Sequence, residues 1–327
     1  MAVITYIEAV TRAIKEEMER DDNVFVLGED VGKRGGVFRA TDGLYEQFGE
    51  ARVIDTPLAE SAIAGVGIGA AMYGMRPIAE MQFADFIMPA VNQIVSEAAK
   101  IRYRSNNDWT CPITFRAPYG GGVHGALYHS QSVEALFANV PGLKIVMPST
   151  PYDVKGLLKA AIRSDDPILF FEHKRAYRLI KGEVPDDDYT LPIGKADVKR
   201  EGEDITVITY GLCVHFAMQA AENLAKEGYE AHILDLRTVY PLDKEAIIEA
   251  AKKTGKVLLV TEDNKEGSII SEVSAIIAEN CLFDLDAPVM RVAGPDVPSM
   301  PYSPPMEKYF MVNPDKVEAA MKELAEF

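Results

Sequence analysis

The chain of 327 residues carries 34 Lys plus Arg against 50 Asp plus Glu, a formal charge of −16, with 48% hydrophobic and 26% charged residues. That balance excludes a disordered chain, and the acidic excess excludes nucleic acid or an anionic membrane surface as the main partner. At roughly 150 residues per domain, the length suggests two domains that each bury a core of their own.

Thr5 and Glu8 read as a capping box opening a helix with Ile7, Val10, Ile14 and Met18 on one face. A buried strand VFVLGE (24–29) follows, then a Gly-rich loop, the strand RVIDT (52–56) and a small-residue helix over 60–74. The strand PIAEMQF (77–83), a long helix over 86–102 and the strand PITFRA (112–117) come next. A Gly- and His-rich loop over Pro118–Ser132 leads to the strand KIVMP (144–148). Thr150 caps a helix with Pro151 and Asp153 in its first turn, and ILFFE (168–172) is another strand. Residues 173–204 lose periodicity and read as a polar surface linker.

Alternation then resumes with the strands ITVITYG (205–211), AHILDLRT (231–238), KVLLVTE (256–262) and PVMRVA (288–293). Helices over 213–226, 243–253 and 267–281, and a last one opened by Asn313 and Pro314, separate or follow them. Strands alternating with helices imply an α/β fold, two domains with mostly parallel sheets covered by helices, at 1–190 and 191–327. Cys111, Cys213 and Cys281 have no metal-ligand spacing and read as free thiols in a reducing compartment. No signal-peptide pattern and no apolar run of about 18 residues is visible, so a cytoplasmic protein with no membrane partner is expected.

Three constellations could carry chemistry. Gly65, Gly67 and Ala70 fit G-x-G-x-x-A, the mark of an NAD-binding oxidoreductase, but the segment lies inside a helical run. The other reading is close packing of that helix on a neighbour. Glu60, at the start of the same helix, is a partly desolvated carboxylate able to hold a proton against a heterocyclic nitrogen; equally, it is an ordinary helix-start acid. The loop from Gly120 to Gln131 holds His124 and His129 among glycines, where α/β sites are built, and a purely structural loop stays open as the alternative.

The strings LGEDVGKRGGVFRAT, DTPLAES, MQFADF, HGALYHSQS, PGLKIVMPSTPYDVKGLL, DPILFFEHK and DLRTVYPLD occur in order along the whole chain. On them the chain resembles the β subunits of thiamine-diphosphate-dependent 2-oxoacid dehydrogenases, with HGALYHSQS pointing to the branched-chain type over the pyruvate or acetoin type. The resemblance implies a transketolase-like pyrimidine-binding domain followed by a C-terminal domain. It also implies oxidative decarboxylation of a 2-oxo acid, with acyl transfer to the lipoyl domain of a dihydrolipoyl acyltransferase core. No Gly-Asp-Gly motif for Mg²⁺ and the diphosphate occurs here, so an α subunit is expected to hold both, in an assembly of two α with two β chains.

By motif, Glu60 would hydrogen-bond the aminopyrimidine N1′, with Gln82 and Phe86 beside the ring. Relatives often have Tyr at the Phe86 position. His129 would assist acyl transfer to the lipoyl arm. A K⁺ site is implied at Ile113, Ala161, Ile162, Ser164 and Asp166, built largely from backbone carbonyls; relatives commonly have Asp and Asn at the last two. A non-catalytic scaffold subunit is the reading from another class.

Overall fold

The computed structural model describes residues 1–327. The chain divides into two compact units, residues 1–119 with 136–193, and residues 120–135 with 194–327. The last crossing between the units falls between residues 193 and 194. The His-bearing loop, expected in the first domain, belongs by its contacts to the second unit.

The first unit holds β1 (Ala2–Thr5), β2 (Val24–Gly28), β3 (Val53–Asp55), β4 (Arg76–Glu80), β5 (Thr114–Tyr119), β6 (Lys144–Val146), β7 (Ile168–His173) and β8 (Lys181–Val184). Six of them run in one sheet in the order β6-β7-β5-β4-β2-β3, all parallel. Every residue of β2, β5 and β7 is buried, the mark of strands covered on both faces. The helix Tyr6–Arg20 starts at the expected capping box: the Thr5 hydroxyl accepts the Glu8 N–H, and the Glu8 carboxylate accepts the Thr5 N–H. Its buried face, including Val10, Ile14 and Met18, packs on the helix Pro151–Arg163. Fully burying a side chain of that kind contributes about 1.5–3 kcal/mol.

Two expectations need correction. The long helix over 86–102 is a 3₁₀ segment Ala84–Ala90, a π segment Gln93–Ala98 and a short α-helix Ile101–Arg104. Pro89 has no N–H to give, and its ring excludes the regular ladder behind it. The stretch 173–204 is not a bare linker: it contains the helix Ala176–Leu179 and β8, which pairs antiparallel with β1. A short two-stranded pairing leaves no periodic pattern to read.

The second unit holds β9 (Asp197–Arg200), β10 (Ile205–Thr209), β11 (Ala231–Asp235), β12 (Thr238–Tyr240), β13 (Val257–Asn264) and β14 (Met290–Gly294). Five of them run β14-β13-β10-β11-β9, parallel except for β9 against β11. Helices Cys213–Ala225, Lys244–Thr254 and Ile269–Cys281 cover the sheet, and Asn313 caps the last helix, Pro314–Ala325. A helix Pro304–Phe310, unforeseen from the sequence, precedes it. No helix is long and apolar enough to cross a membrane.

Candidate active site

In the first unit β3 lies on one side of β2 and β4 on the other, so the strand order reverses at β2. Open α/β sheets bind ligands beyond the carboxyl ends of their strands at such a reversal. Glu29 follows β2, Asp55 ends β3 with the segment Thr56–Glu60 after it, and Met81–Phe86 follows β4. The loop after β2 is tied down there: Gly32 N–H donates to Asp55 Oδ1 (2.6 Å), and Thr56 N–H to the Gly28 carbonyl (2.9 Å). A Cβ on Gly32 would stand 2.5 Å from Asp55 Oδ2, so only glycine fits that approach.

Glu60 is the first residue of the helix Glu60–Met72 and is half-buried. Ala59, the residue before it, offers no side chain to cap that helix, so the free N–H groups and the positive end of the dipole lie beside the Glu60 carboxylate. Glu29 has its carboxyl raised by burial, then by the charges of Asp30 and Glu60. The Glu60 charge therefore reaches Glu29 across the strand ends. The sequence reading passed over Glu29, although its place directly after a buried strand was a usable signal.

Gly67 settles the glycine-rich pattern. It lies inside the helix, and a Cβ there would stand 2.7 Å from Ile113 Cδ1. The glycine lets the helix approach Ile113, just before β5; no strand-to-helix turn carries the motif, as a dinucleotide site requires.

The 3₁₀ segment Ala84–Ala90, which holds Phe86, packs on the same helix. Phe83 meets Phe86 and Phe38 edge to face, with centroids 5.4 Å apart in each pair, and Lys174 Nζ stands 5.4 Å from the Phe83 centroid. A buried ion cluster joins the adjacent strands β4, β5 and β7 where this segment begins. Arg116, fully buried, donates from Nη1 to Glu80 Oε2 (2.6 Å), from Nε to Glu172 Oε1 (2.6 Å) and from Nη2 to Glu172 Oε2 (2.7 Å). Tyr177 Oη also donates to Glu172 Oε2 (2.7 Å). Burial raises the Glu80 carboxyl, and Arg116 opposes the rise.

His129 lies in the second unit, on a loop held from two sides. Gly121 N–H donates to Glu262 Oε1 (2.6 Å), His124 N–H to Glu307 Oε1 (3.2 Å), and His124 Nδ1 lies 2.6 Å from Glu307 Oε2. His124 and Ala126 both adopt left-handed backbone, at φ 57° and 54°. Such angles cost non-glycine residues about 1–3 kcal/mol each and persist where the surroundings impose them. Near the same loop, burial and then the Asp263 charge push Glu134 up to about 8, while Tyr210 Oη donates to its Oε1 (2.9 Å). Asp263 itself is pushed up to about 6, by burial first and by Glu262.

The carbonyls expected to hold K⁺ already take protein donors. Arg76 Nη1 donates to the Ile162 (3.1 Å) and Ser164 (3.0 Å) oxygens, and its Nη2 to Asp165 Oδ1 (2.7 Å). The Ile113 oxygen accepts the Ile168 N–H, and the Ala161 oxygen accepts the Ser164 N–H. The Asp166 carboxylate binds Arg102 and Lys144.

Family models for the transketolase pyrimidine-binding domain and the transketolase C-terminal domain match residues 2–180 and 194–317. Over 327 residues, all of both chains, the sequence is 84% identical to the 2-oxoisovalerate dehydrogenase subunit beta of Bacillus subtilis (strain 168). The chain belongs to the family of 2-oxoacid dehydrogenase β subunits. The pyruvate dehydrogenase E1 component subunit beta of the same organism is 48% identical over 324 residues, 99% of each chain. Among solved structures, a split-gene transketolase, described as an inactive β4 tetramer, superposes with a TM-score of 0.80. It covers 99% of this chain and 98% of its own at 23% identity, a likeness of fold alone.

Membership in this family implies thiamine diphosphate as cofactor and an α subunit as partner. The residues at the strand reversal suit an aminopyrimidine. Glu60 offers a carboxylate for a ring nitrogen, Gln82 a carboxamide, and Phe86 an aromatic surface.

Proposed function

We propose that this chain, paired with its α subunit, catalyses the oxidative decarboxylation of branched-chain 2-oxo acids and passes the acyl group to the lipoyl domain of an acyltransferase core. The observation that carries the reading is the Glu60 carboxylate at a helix start, just after β3 at the sheet's reversal point. Full-length similarity to the 2-oxoisovalerate enzyme's β subunit favours branched-chain substrates over pyruvate.

The bound cofactor supplies a ring that accepts the electrons released with CO₂. The Glu60 carboxylate would accept a hydrogen bond from a proton at the pyrimidine N1′, in the field of its helix N-terminus. Gln82 and Phe86 orient the ring. His129 moves a proton during acyl transfer, a role suited to imidazole near neutral pH. Without a Gly-Asp-Gly motif, this chain leaves the diphosphate and Mg²⁺ to the α subunit, which requires a joint assembly, two α with two β in our reading. In our reading Arg76, beside the Ile162 and Ser164 carbonyls, and Arg102 and Lys144, beside Asp166, leave the expected K⁺ position little need of a further cation. We place the assembly in the cytoplasm, in keeping with three free cysteines.

Decarboxylation of 2-oxoisovalerate and pyruvate is measured with the chain alone and with its α subunit, with thiamine diphosphate and Mg²⁺ present. Turnover only in the mixture, faster on 2-oxoisovalerate, is the expected result; turnover by the chain alone overturns the split site. Glu60→Gln should lower turnover about 10²–10⁴-fold with the assembly intact, as loss of a proton-transfer group does. Unchanged turnover would assign the chain to a scaffold.

A further inference from the structure

Glu307 is buried on the helix Pro304–Phe310, yet it spends both carboxylate oxygens on one exposed residue, His124, 183 positions earlier in the chain. One oxygen takes the backbone N–H and the other faces Nδ1, so the contact fixes the orientation of the peptide as well as of the ring. The peptide it grips is in the left-handed region, as is Ala126 two residues on. Between them sits Gly125, packed against His129: a Cβ added there would stand 2.6 Å from the His129 carbonyl oxygen and 2.7 Å from its Cβ. A displacement at His124 therefore passes through Gly125 to His129 without slack. Upstream the loop is gripped again, where Gly121 donates to Glu262 and a Cβ would strike Met300 at 2.3 Å. Met300 belongs to a small buried cluster with Phe310 and Met311, at the end of the Glu307 helix.

We propose that Glu307, with Glu262 as the second anchor, is a positioning residue that sets the His129 imidazole for acyl transfer. The proposal rests on the acyl-transfer reading of His129. A buried acid is the suitable anchor. Its two acceptors match a backbone N–H and a ring N–H at once, and its own burial restricts its rotamers. A glutamine offers one acceptor, so it keeps the backbone contact and meets Nδ1 only through its NH₂ and the other imidazole tautomer.

The test uses the α/β assembly and two assays on each variant: acylation of a free lipoyl domain, and decarboxylation coupled to an artificial electron acceptor. His129→Ala should lower acylation about 100-fold, the scale of a lost proton-transfer group, and decarboxylation much less. Glu307→Ala should lower acylation about 10-fold or more, as a side chain displaced by a fraction of an ångström does, with decarboxylation within about 3-fold. On the His129→Ala background, Glu307→Ala should add almost nothing. Glu307→Gln, which keeps the volume, should show the same selectivity at smaller amplitude and serves if the alanine variant does not assemble. Equal losses in both assays, or full additivity with His129→Ala, overturn the positioning role. A His129→Ala enzyme with no selective loss overturns the reading of His129 itself, and is recognised by that variant alone.

Discussion

Replacing Arg116 by Met removes a cation with no exposed surface and leaves Glu80 and Glu172 in the interior without their common partner. Removing one member of a buried ion cluster costs about 3–5 kcal/mol, because the remaining charges have neither water nor partner. In a unit of this size about 1 kcal/mol shifts the midpoint by about 2–4 °C, so the expected fall is about 6–20 °C at pH 8. The pH dependence carries a sign. Glu80 is raised even with Arg116 present, and without it this carboxyl rises further above the unfolded value near 4.3. The folded variant then binds more protons than the unfolded chain, so its stability falls as pH rises through the folded pKa of Glu80. The deficit against the parent chain should be widest at pH 8 and clearly smaller at pH 5.5. Scanning calorimetry of the chain at both pH values reads this directly. Adding Glu80→Gln and Glu172→Gln to Arg116→Met should recover part of the loss. A fall below about 2 °C, or the same fall at both pH values, refutes the account of an uncompensated buried charge.

Exchanging K⁺ for Na⁺ at constant ionic strength should leave the unfolding midpoint within about 1 °C, since Arg76 already holds the Ile162 and Ser164 carbonyls. A rise of several degrees with K⁺ would show that the metal binds beside the guanidinium, and Arg76→Met is expected to create such a dependence. Gly142→Ala should cost about 2–5 kcal/mol in urea unfolding, because Gly142 has φ 103° and a Cβ would stand 2.0 Å from the Ala99 carbonyl oxygen. A loss under about 1 kcal/mol would mean that the turn relaxes freely. Burial pushes the Cys111 thiol up to about 12 and holds Cys213 well above its ordinary value, and all three cysteines are buried. A disulfide reagent at pH 7.5 should therefore leave all three intact in the folded chain and titrate all three after denaturation; rapid reaction of any one contradicts that burial.

Local signals in the sequence determined much of this protein. The Thr5–Glu8 capping box, the Thr150 and Asn313 caps and the unbroken apolar runs of β2, β5 and β7 are short-range or single-strand features, legible residue by residue. The α/β class follows from their alternation. Glu60 was legible too, as an acid opening an apolar helix, and so was the glycine-rich His loop. Tertiary structure decided what depends on partners distant in sequence. Pro89 broke a periodic helix, and β8 became a strand only by pairing with β1. Gly67 became a contact with Ile113 and not a phosphate turn. Glu29 acquired its raised carboxyl from burial, then from Asp30 and Glu60, and the Arg116 cluster joined three strands through residues 36 and 56 positions away. Glu262 and Glu307 reach the His129 loop across 141 and 183 positions, a distance at which no periodicity survives. Charges and hydrogen bonds act through space and fall off within ångströms, so only the folded chain shows which of its 50 acids stand where they matter.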